Sequence, residues 1–127
     1  MLTAAHCTAG SNADSIAVIV GEHRTDDWDY QRISLSKITD DPDYNSQTFA
    51  NDFSILTLSE PVTISRSVAP ACMPWDTTQL YAGQLATVSG WGTLTSGGNQ
   101  PTVLHEVDVT VQTNAVCQQA YGSSITE

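Results

Sequence analysis

Leu2-Thr3-Ala4-Ala5-His6-Cys7 is the stretch of this 127-residue sequence on which the fold assignment depends. The small alanines let the backbone pack closely under the imidazole, and the adjacent cysteine offers a covalent anchor for the segment. Histidine is the side chain most often used as a general base near neutral pH. A single histidine is more often structural than catalytic, so this stretch alone leaves both roles open.

A second stretch, Ala50-Asn51-Asp52-Phe53-Ser54-Ile55-Leu56-Thr57-Leu58, places one acid at the start of an apolar run. The run predicts a buried strand, with Phe53, Ile55, Leu56 and Leu58 as its apolar residues. A buried carboxylate is costly unless it is paired or hydrogen-bonded. Asp52 therefore either caps the start of the strand or pairs with another group, and the presence of His6 upstream favours pairing.

Four motifs, in order along nearly the whole chain, resemble those of the chymotrypsin-like (trypsin family) serine proteases. The two stretches above resemble the histidine motif and the catalytic-aspartate motif. Val88-Ser89-Gly90-Trp91-Gly92-Thr93-Leu94 resembles the Gly-Trp-Gly signature at the start of the second barrel. Ala115-Val116-Cys117-Gln118-Gln119-Ala120-Tyr121-Gly122 resembles the cysteine-bearing helix that follows. Each motif alone is weak, whereas the ordered set is highly specific.

The resemblance implies an all-β fold: an incomplete double six-stranded antiparallel β-barrel with one short helix near the C-terminus. Residues 1–66 would form an incomplete N-terminal barrel, residues 67–82 the connection, and residues 83–127 the first part of the C-terminal barrel. Three prolines, at positions 61, 70 and 74, break regular structure around this connection.

Local patterns agree with an all-β chain. Ile16–Val20 is a β-branched run ended by Gly21, and Ile33–Ile38 alternates with period two, so both predict strands. Asp40–Asn45 is typical of a turn-rich surface loop. Residues 83–90 alternate as they lead into Trp91.

The C-terminal part predicts one more strand and the helix. Alternate positions of residues 103–112 are apolar, and His105 falls on the apolar side as a packed or edge histidine. Thr113 or Asn114 is predicted to cap a short helix that runs through Tyr121 and ends at Gly122.

The family resemblance implies a serine-type endopeptidase acting on polypeptide substrates, with protein protease inhibitors as further partners. His6 would act as general base and then general acid, and Asp52 would orient His6. Phe49 would shape the subsite next to the scissile residue. The nucleophilic serine is expected outside residues 1–127, so this chain alone is expected to be inactive.

Ser96-Gly97-Gly98 superficially resembles the family's nucleophile motif. It lacks the preceding Gly-Asp and lies too early in the chain, so it is assigned no catalytic role. Two other function classes are weighed: a catalytically inactive homologue that acts as a binding or cofactor protein in a proteolytic cascade, and an unrelated β-sandwich binding module.

The three cysteines, Cys7, Cys72 and Cys117, form no Cys-x-x-Cys pair, which disfavours a zinc site that also includes His6. An odd count suggests missing partners. The resemblance implies that Cys7 pairs with a cysteine in a preceding strand, Cys117 with one after Glu127, and Cys72 with a propeptide or light chain. The chain is accordingly expected to be a fragment, truncated at both ends, of a secreted, extracellular protein.

Charge and hydropathy argue against some classes of binding partner. Fourteen acidic residues against four basic ones give a net charge of −10, which argues against nucleic acid or an anionic membrane surface. No apolar run is long enough to cross a bilayer. The acidic Glu22–Asp29 segment corresponds to a loop that can bind calcium in trypsin-like proteins, but it is shorter here and contains Arg24. A solvated loop is favoured over a calcium site, and neither a cofactor nor a metal ion is expected.

Overall fold

A computed structural model of the chain describes residues 1–28 and 30–125, with only the backbone of Ser123. Asp29, one of the acids of the segment predicted to be a solvated loop, lies outside the described residues, as do Thr126 and Glu127. The chain divides into two compact units, one of Met1–Glu22 with Asp29–Ala69 and one of His23–Trp28 with Pro70–Glu127. The division after residue 69 falls within the segment 67–82, while residues 23–28 associate with the second unit.

The first unit contains a four-stranded antiparallel sheet. Its strands are β1 (Leu2–Thr3), β2 (Ala17–Val20), β3 (Gln31–Asp40) and β4 (Ser54–Leu58), in the order β1-β4-β3-β2. The predicted strands at 16–20 and 33–38 are therefore present, with β3 extended at both ends. Gly21 follows β2 with a φ of +81°, a left-handed conformation that glycine adopts without steric cost.

The core of this unit lies on one face of the sheet. Val18, Leu35 and Leu56 are its buried centre, and Ile38 and Leu58 are among the half-buried side chains packed against it. The burial of hydrocarbon from β2, β3 and β4 on the same face holds the three strands together.

The prediction that the whole apolar run after Asp52 is buried was wrong. Phe53 and Ile55 are each 46% exposed, whereas Ser54 and Leu56 are buried. Successive side chains of a strand point to opposite faces, so a run of adjacent apolar residues cannot all enter one core. Only every second residue of β4 faces the core.

A β-bulge explains how Ile38 reaches the same core as Leu35, three residues earlier. Leu35 pairs with Leu58 and Lys37 pairs with Thr57, so Ser36 is the extra residue of β3. The hydroxyl of Ser36 lies 3.2 Å from the carbonyl oxygens of both Thr57 and Leu58. A bulge shifts the alternation by one position, and a strict period of two would have placed Lys37 on the inner face instead.

Three neighbouring strands bring the segments of interest to one end of the sheet. Thr3 of β1 pairs with Ser54 of β4, and Ser54 pairs with Asp40 of β3. β1 ends at Thr3 and β3 ends at Asp40, while β4 begins at Ser54. The segments that leave β1, enter β4 and leave β3 therefore all meet at this end.

The second unit contains a two-stranded antiparallel sheet of β5 (Leu85–Gly90) and β6 (His105–Thr110) and the helix α1 (Asn114–Tyr121). Val107 and Val109 share one face of β6 and are 58% and 41% exposed, and His105, opposite Gly90, is exposed as well. Of the two predictions for His105, the structure therefore supports an edge histidine rather than a packed one.

Backbone hydrogen bonds attach residues 23–28 to this unit. The Thr25 amide donates to the Thr102 carbonyl at 2.8 Å, and the carbonyl of His23 accepts from the Leu104 amide at 2.9 Å. The indole Nε1–H of Trp91 donates to the same His23 carbonyl at 3.3 Å. Half-buried Trp91 thus helps to attach residues 23–28 to this unit.

The predicted helix is confirmed at both ends. The Thr113 side chain accepts a hydrogen bond from the Val116 amide, as an N-cap residue does, and Gly122 follows the last turn with a φ of +60°. The described helices include none long and apolar enough to cross a membrane. The all-β prediction with one short helix near the C-terminus is thus confirmed.

Candidate active site

His6 lies in a short 3₁₀ turn, Ala5–Cys7, that directly follows β1. Ala5 is completely buried, and its carbonyl accepts hydrogen bonds from the amides of Thr8 at 3.0 Å and Ala9 at 2.8 Å. Because Ala5 has no exposed surface, a larger side chain would have to displace its neighbours. The alanine before His6 therefore allows the tight turn that presents the imidazole at the end of the sheet.

Asp52 lies two residues before β4, next to a tight backbone turn. Asn51 has a φ of +55°, a left-handed conformation that asparagine tolerates better than most residues. The Phe53 amide donates to the Asn51 carbonyl at 2.8 Å, and the Asn51 side-chain amide donates to the Asp43 carbonyl at 3.1 Å. This turn directs the Asp52 carboxylate toward the end of β1, where His6 lies.

The structure brings His6 and Asp52 together through both carboxylate oxygens. Imidazole Nδ1 lies 2.6 Å from Oδ2 of Asp52, and the backbone amide of His6 donates to Oδ1 at 2.8 Å. A carboxylate in its ionised form only accepts hydrogen bonds, so in the neutral imidazole Nδ1 carries the proton and Nε2 keeps its lone pair. The pair therefore presents Nε2 as a hydrogen-bond acceptor and base.

Electrostatics keep Asp52 ionised. The pKa of Asp52 is lowered, chiefly by the side-chain hydrogen bond from His6. Partial burial acts in the opposite direction and raises this pKa. The backbone hydrogen bond from His6 and the positive charge of the protonated ring lower it further. The side chain is 22% exposed and that of His6 is 50% exposed. The Asp52 carboxylate is thus only partly shielded from solvent, and its ionised form is stabilised by the hydrogen bonds from His6.

Phe49 packs against the His6 ring. The two ring centroids are 5.9 Å apart with an interplanar angle of 84°, an edge-to-face contact. Phe49 is 59% exposed and has a φ of +57°, which is uncommon for an aromatic residue. Its loop is closed by hydrogen bonds from the Asn45 amide to the Ala50 carbonyl and from the Phe49 amide to the Asn45 carbonyl. The residue predicted to shape a subsite therefore lies beside the candidate base.

Residues that the sequence analysis did not single out also surround the pair. The pKa of Tyr44 is raised, first by desolvation and then by the negative charges of Asp52, Asp40 and Cys7. Asp40 also accepts a hydrogen bond from Thr8, two residues after His6. Nothing in the sequence pattern marks Thr8, Asp40 or Tyr44 as a neighbour of the pair.

The other candidate residues are the three cysteines and the acidic residues of the segment Glu22–Asp29. The thiols of Cys7, Cys72 and Cys117 are free in this structure, with Cys117 half-buried and the other two exposed. In the acidic loop, Arg24 pairs with Asp26 at 2.9 Å and Asp27 at 3.6 Å. Across residues 1–28 and 30–125, no group of three or more His, Cys, Asp or Glu side chains is arranged to hold a metal ion.

Comparison with known protein families identifies the architecture that presents this pair. The trypsin family model matches residues 1–127, the whole chain. The chain belongs to the trypsin family. Within this family, the chain is 38% identical over 129 residues to serine protease 1 of Rattus norvegicus and 35% identical over 126 residues to granzyme C of Mus musculus.

These relatives are longer than the chain. The alignments cover 99% and 98% of this chain but 50% and 49% of the two relatives, so the chain spans about half of their length. A solved structure described as "Structure of GrC" superimposes with a TM-score of 0.89 at 34% identity, over 99% of this chain and 55% of that one. The predicted chymotrypsin-like fold of this trypsin-family chain is confirmed by that agreement.

Proposed function

We propose that this chain is part of a serine-type endopeptidase in which His6 is the general base and Asp52 orients it. The observation that carries the proposal is the double hydrogen bond from His6 to the two oxygens of Asp52, at 2.6 Å and 2.8 Å. It fixes both the imidazole tautomer and the backbone on which the ring is mounted. A histidine with only a packing role would not require one carboxylate to bond both its ring and its backbone amide.

In the proposed reaction, a serine hydroxyl from outside residues 1–127 attacks the carbonyl carbon of a peptide bond. His6 Nε2 takes the hydroxyl proton as the new C–O bond forms, and then delivers it to the leaving amine as the C–N bond breaks. Water then attacks the acyl-enzyme carbonyl while His6 Nε2 takes its proton, and the proton returns to the serine oxygen as the ester bond breaks. Asp52 stays ionised throughout and stabilises the imidazolium, which is its role in the Ser-His-Asp template.

The lowered pKa of Asp52 supports this assignment. An ionised carboxylate next to imidazole favours the protonated ring, which is the form that develops as the serine loses its proton. A charge-assisted hydrogen bond of this kind is roughly twice as strong as a neutral one. The pair therefore stabilises the charge that the transition state creates.

Polypeptides are the proposed substrates, with protein protease inhibitors as further partners. Exposed Phe49, held against the His6 ring, is proposed to contact the substrate residue next to the scissile bond. We also propose that the protein is secreted and that its cysteines pair in the oxidising compartment with cysteines outside residues 1–127.

The test is peptide and ester hydrolysis by the full-length protein that contains this segment. Changing Asp52→Asn is expected to lower kcat about 10⁴-fold, the loss known for the corresponding change in the Ser-His-Asp template. His6→Ala is expected to lower kcat at least as strongly. Asp43→Asn, which removes an exposed acid of the neighbouring loop, is the matched control and should leave kcat unchanged.

An active wild type whose kcat survives both His6→Ala and Asp52→Asn would contradict the assignment. A folded but inactive wild type would instead favour the catalytically inactive homologue.

A further inference from the structure

A second acid, Asp40, is bonded to the turn that carries His6 and has no part in the proposed mechanism. Its Oδ1 accepts a hydrogen bond of 2.7 Å from Oγ1 of Thr8. Thr8 directly follows the turn and is only 2% exposed, while Asp40 is half-buried at the end of β3. The two residues are 32 positions apart, so the bond is a tertiary contact rather than part of a local turn.

The Thr8 hydroxyl has one proton and two acceptors within reach. Besides the Asp40 carboxylate at 2.7 Å, the Ala5 carbonyl lies 3.2 Å from the same Oγ1. The Ala5 carbonyl already accepts two backbone amides. The shorter contact and the negative charge of the carboxylate place the hydroxyl proton on the bond to Asp40.

The sheet fixes Asp40 in position for this bond. Asp40 pairs with Ser54, which is completely buried, and Ser54 pairs with Thr3, the last residue before the segment that leads to His6. Asp40 is therefore held by β4, the same strand that follows Asp52. Asp40 ends β3 and Asp52 lies two residues before β4, so both acids lie at the same end of the sheet, where Asp52 bonds His6 and Asp40 bonds the residue that follows the turn.

We propose that Asp40 is a positioning residue, which through Thr8 holds one side of the His6 turn while Asp52 holds the other. The Asp52 carboxylate bonds His6 itself, and the Asp40 carboxylate bonds the residue two positions later. The bond to Asp40 adds a tertiary anchor after the turn to the two bonds that Asp52 makes to His6. The inference rests on the proposed role of His6 as the general base.

Thr8 supplies a matched pair of variants in the full-length protein. Thr8→Val keeps the shape of the side chain and removes the hydroxyl, so it is expected to lower kcat about tenfold, because a misplaced catalytic group loses rate steeply with distance. KM should not change, since Thr8 is buried and does not reach a substrate. Thr8→Ser restores a hydroxyl and should recover most of the lost kcat.

Asp40 supplies the second half of the test. Asp40→Ala should match Thr8→Val, and the double variant should be no worse than either single change, because both remove the same bond. Asp40→Asn keeps an acceptor oxygen and should retain most of kcat. Asp43→Ala, an exposed acid three residues later, is the control and should behave as wild type.

A second readout does not depend on peptidase activity. The Nδ1 proton of His6, in its 2.6 Å contact with Asp52, should give a downfield proton NMR signal that is protected from exchange with water. Thr8→Val and Asp40→Ala should broaden or shift this signal, whereas Thr8→Ser and Asp43→Ala should not. If the full-length protein proves inactive, the proposed function fails but the NMR comparison still decides the positioning role.

Two results would overturn the proposal. One is a wild-type kcat and an unchanged Nδ1 signal in folded Thr8→Val and Asp40→Ala proteins, with folding checked by circular dichroism. The other is loss of folding in both variants, which would make the bond a requirement of the whole sheet and not a device that positions His6.

Discussion

At the scale of single residues, the site depends on what each carboxylate oxygen of Asp52 accepts. Oδ2 accepts a hydrogen bond from imidazole Nδ1 of His6, and Oδ1 accepts one from the backbone amide of the same residue. The partnership of the two residues could be predicted because the stretches around them resemble the histidine and catalytic-aspartate motifs of the family, whereas the acid before an apolar run would by itself have left capping of the strand equally open. The Thr8–Asp40 bond could not, since small polar residues after a turn and acids at strand ends are common in any β protein.

The Asp52–His6 bond predicts an acid-dependent loss of stability. Because the pKa of Asp52 is lower in the folded protein than in the unfolded chain, the bond stabilises the fold above the unfolded pKa of about 3.9. That contribution is lost as the pH falls through the lower, folded pKa. Asp52→Asn should therefore lose less stability than wild type as the pH falls from about 5 through the folded pKa of Asp52.

Urea denaturation of the full-length protein at several pH values measures this difference. Asp43→Asn, which removes an exposed acid of the neighbouring loop, is the control and should follow the wild-type curve. If the free energy of unfolding falls equally with decreasing pH in wild type and Asp52→Asn, the direction assigned to the pKa of Asp52 is contradicted.

At the scale of elements, hydrophobic pattern predicts where strands lie but not which way their residues face. The run after Asp52 contains four apolar residues, of which only Leu56 is buried and Leu58 half-buried. Similarly, the period-two interpretation of residues 33–38 found β3 but not the bulge at Ser36. A bulge depends on the pairing of β3 with β4, which is not visible within either strand's own sequence.

Leu56 and Ile55 give the test of this inward and outward assignment. Leu56 is 7% exposed in the core, so Leu56→Ala should lower the free energy of unfolding by about 2–5 kcal/mol. Ile55 is 46% exposed on the opposite face, so Ile55→Ala should cost about 1 kcal/mol or less. Hydrogen exchange of the amides of β3 and β4 in the full-length protein measures the loss of stability in each variant. Equal losses of protection would show that the assigned faces are wrong.

At the scale of the whole molecule, ordered motifs predicted the family more securely than they predicted the boundaries of its parts. The four motifs lie in both compact units, and the family model covers residues 1–127. The association of residues 23–28 with the second unit could not be predicted, because it rests on backbone bonds between positions about 80 residues apart, such as Thr25 to Thr102. Backbone groups are the same in every residue, so such pairing leaves no composition signal.

The proposed endopeptidase also predicts which serine is not the nucleophile. Ser96, within the nucleophile-like Ser96-Gly97-Gly98, lies in a tight turn in which the Gly98 amide donates to the Thr95 carbonyl at 2.9 Å. A Cβ at Gly98 would lie 2.6 Å from the Thr95 hydroxyl and 3.1 Å from the Thr95 carbonyl oxygen, so the close packing of this turn favours glycine at that position. Ser96→Ala in the full-length protein should leave kcat for a peptide ester unchanged, and residues 1–127 alone should not hydrolyse it. Loss of activity in Ser96→Ala, or turnover by the 127-residue chain, would place the nucleophile within this segment and overturn the proposed division of the catalytic residues.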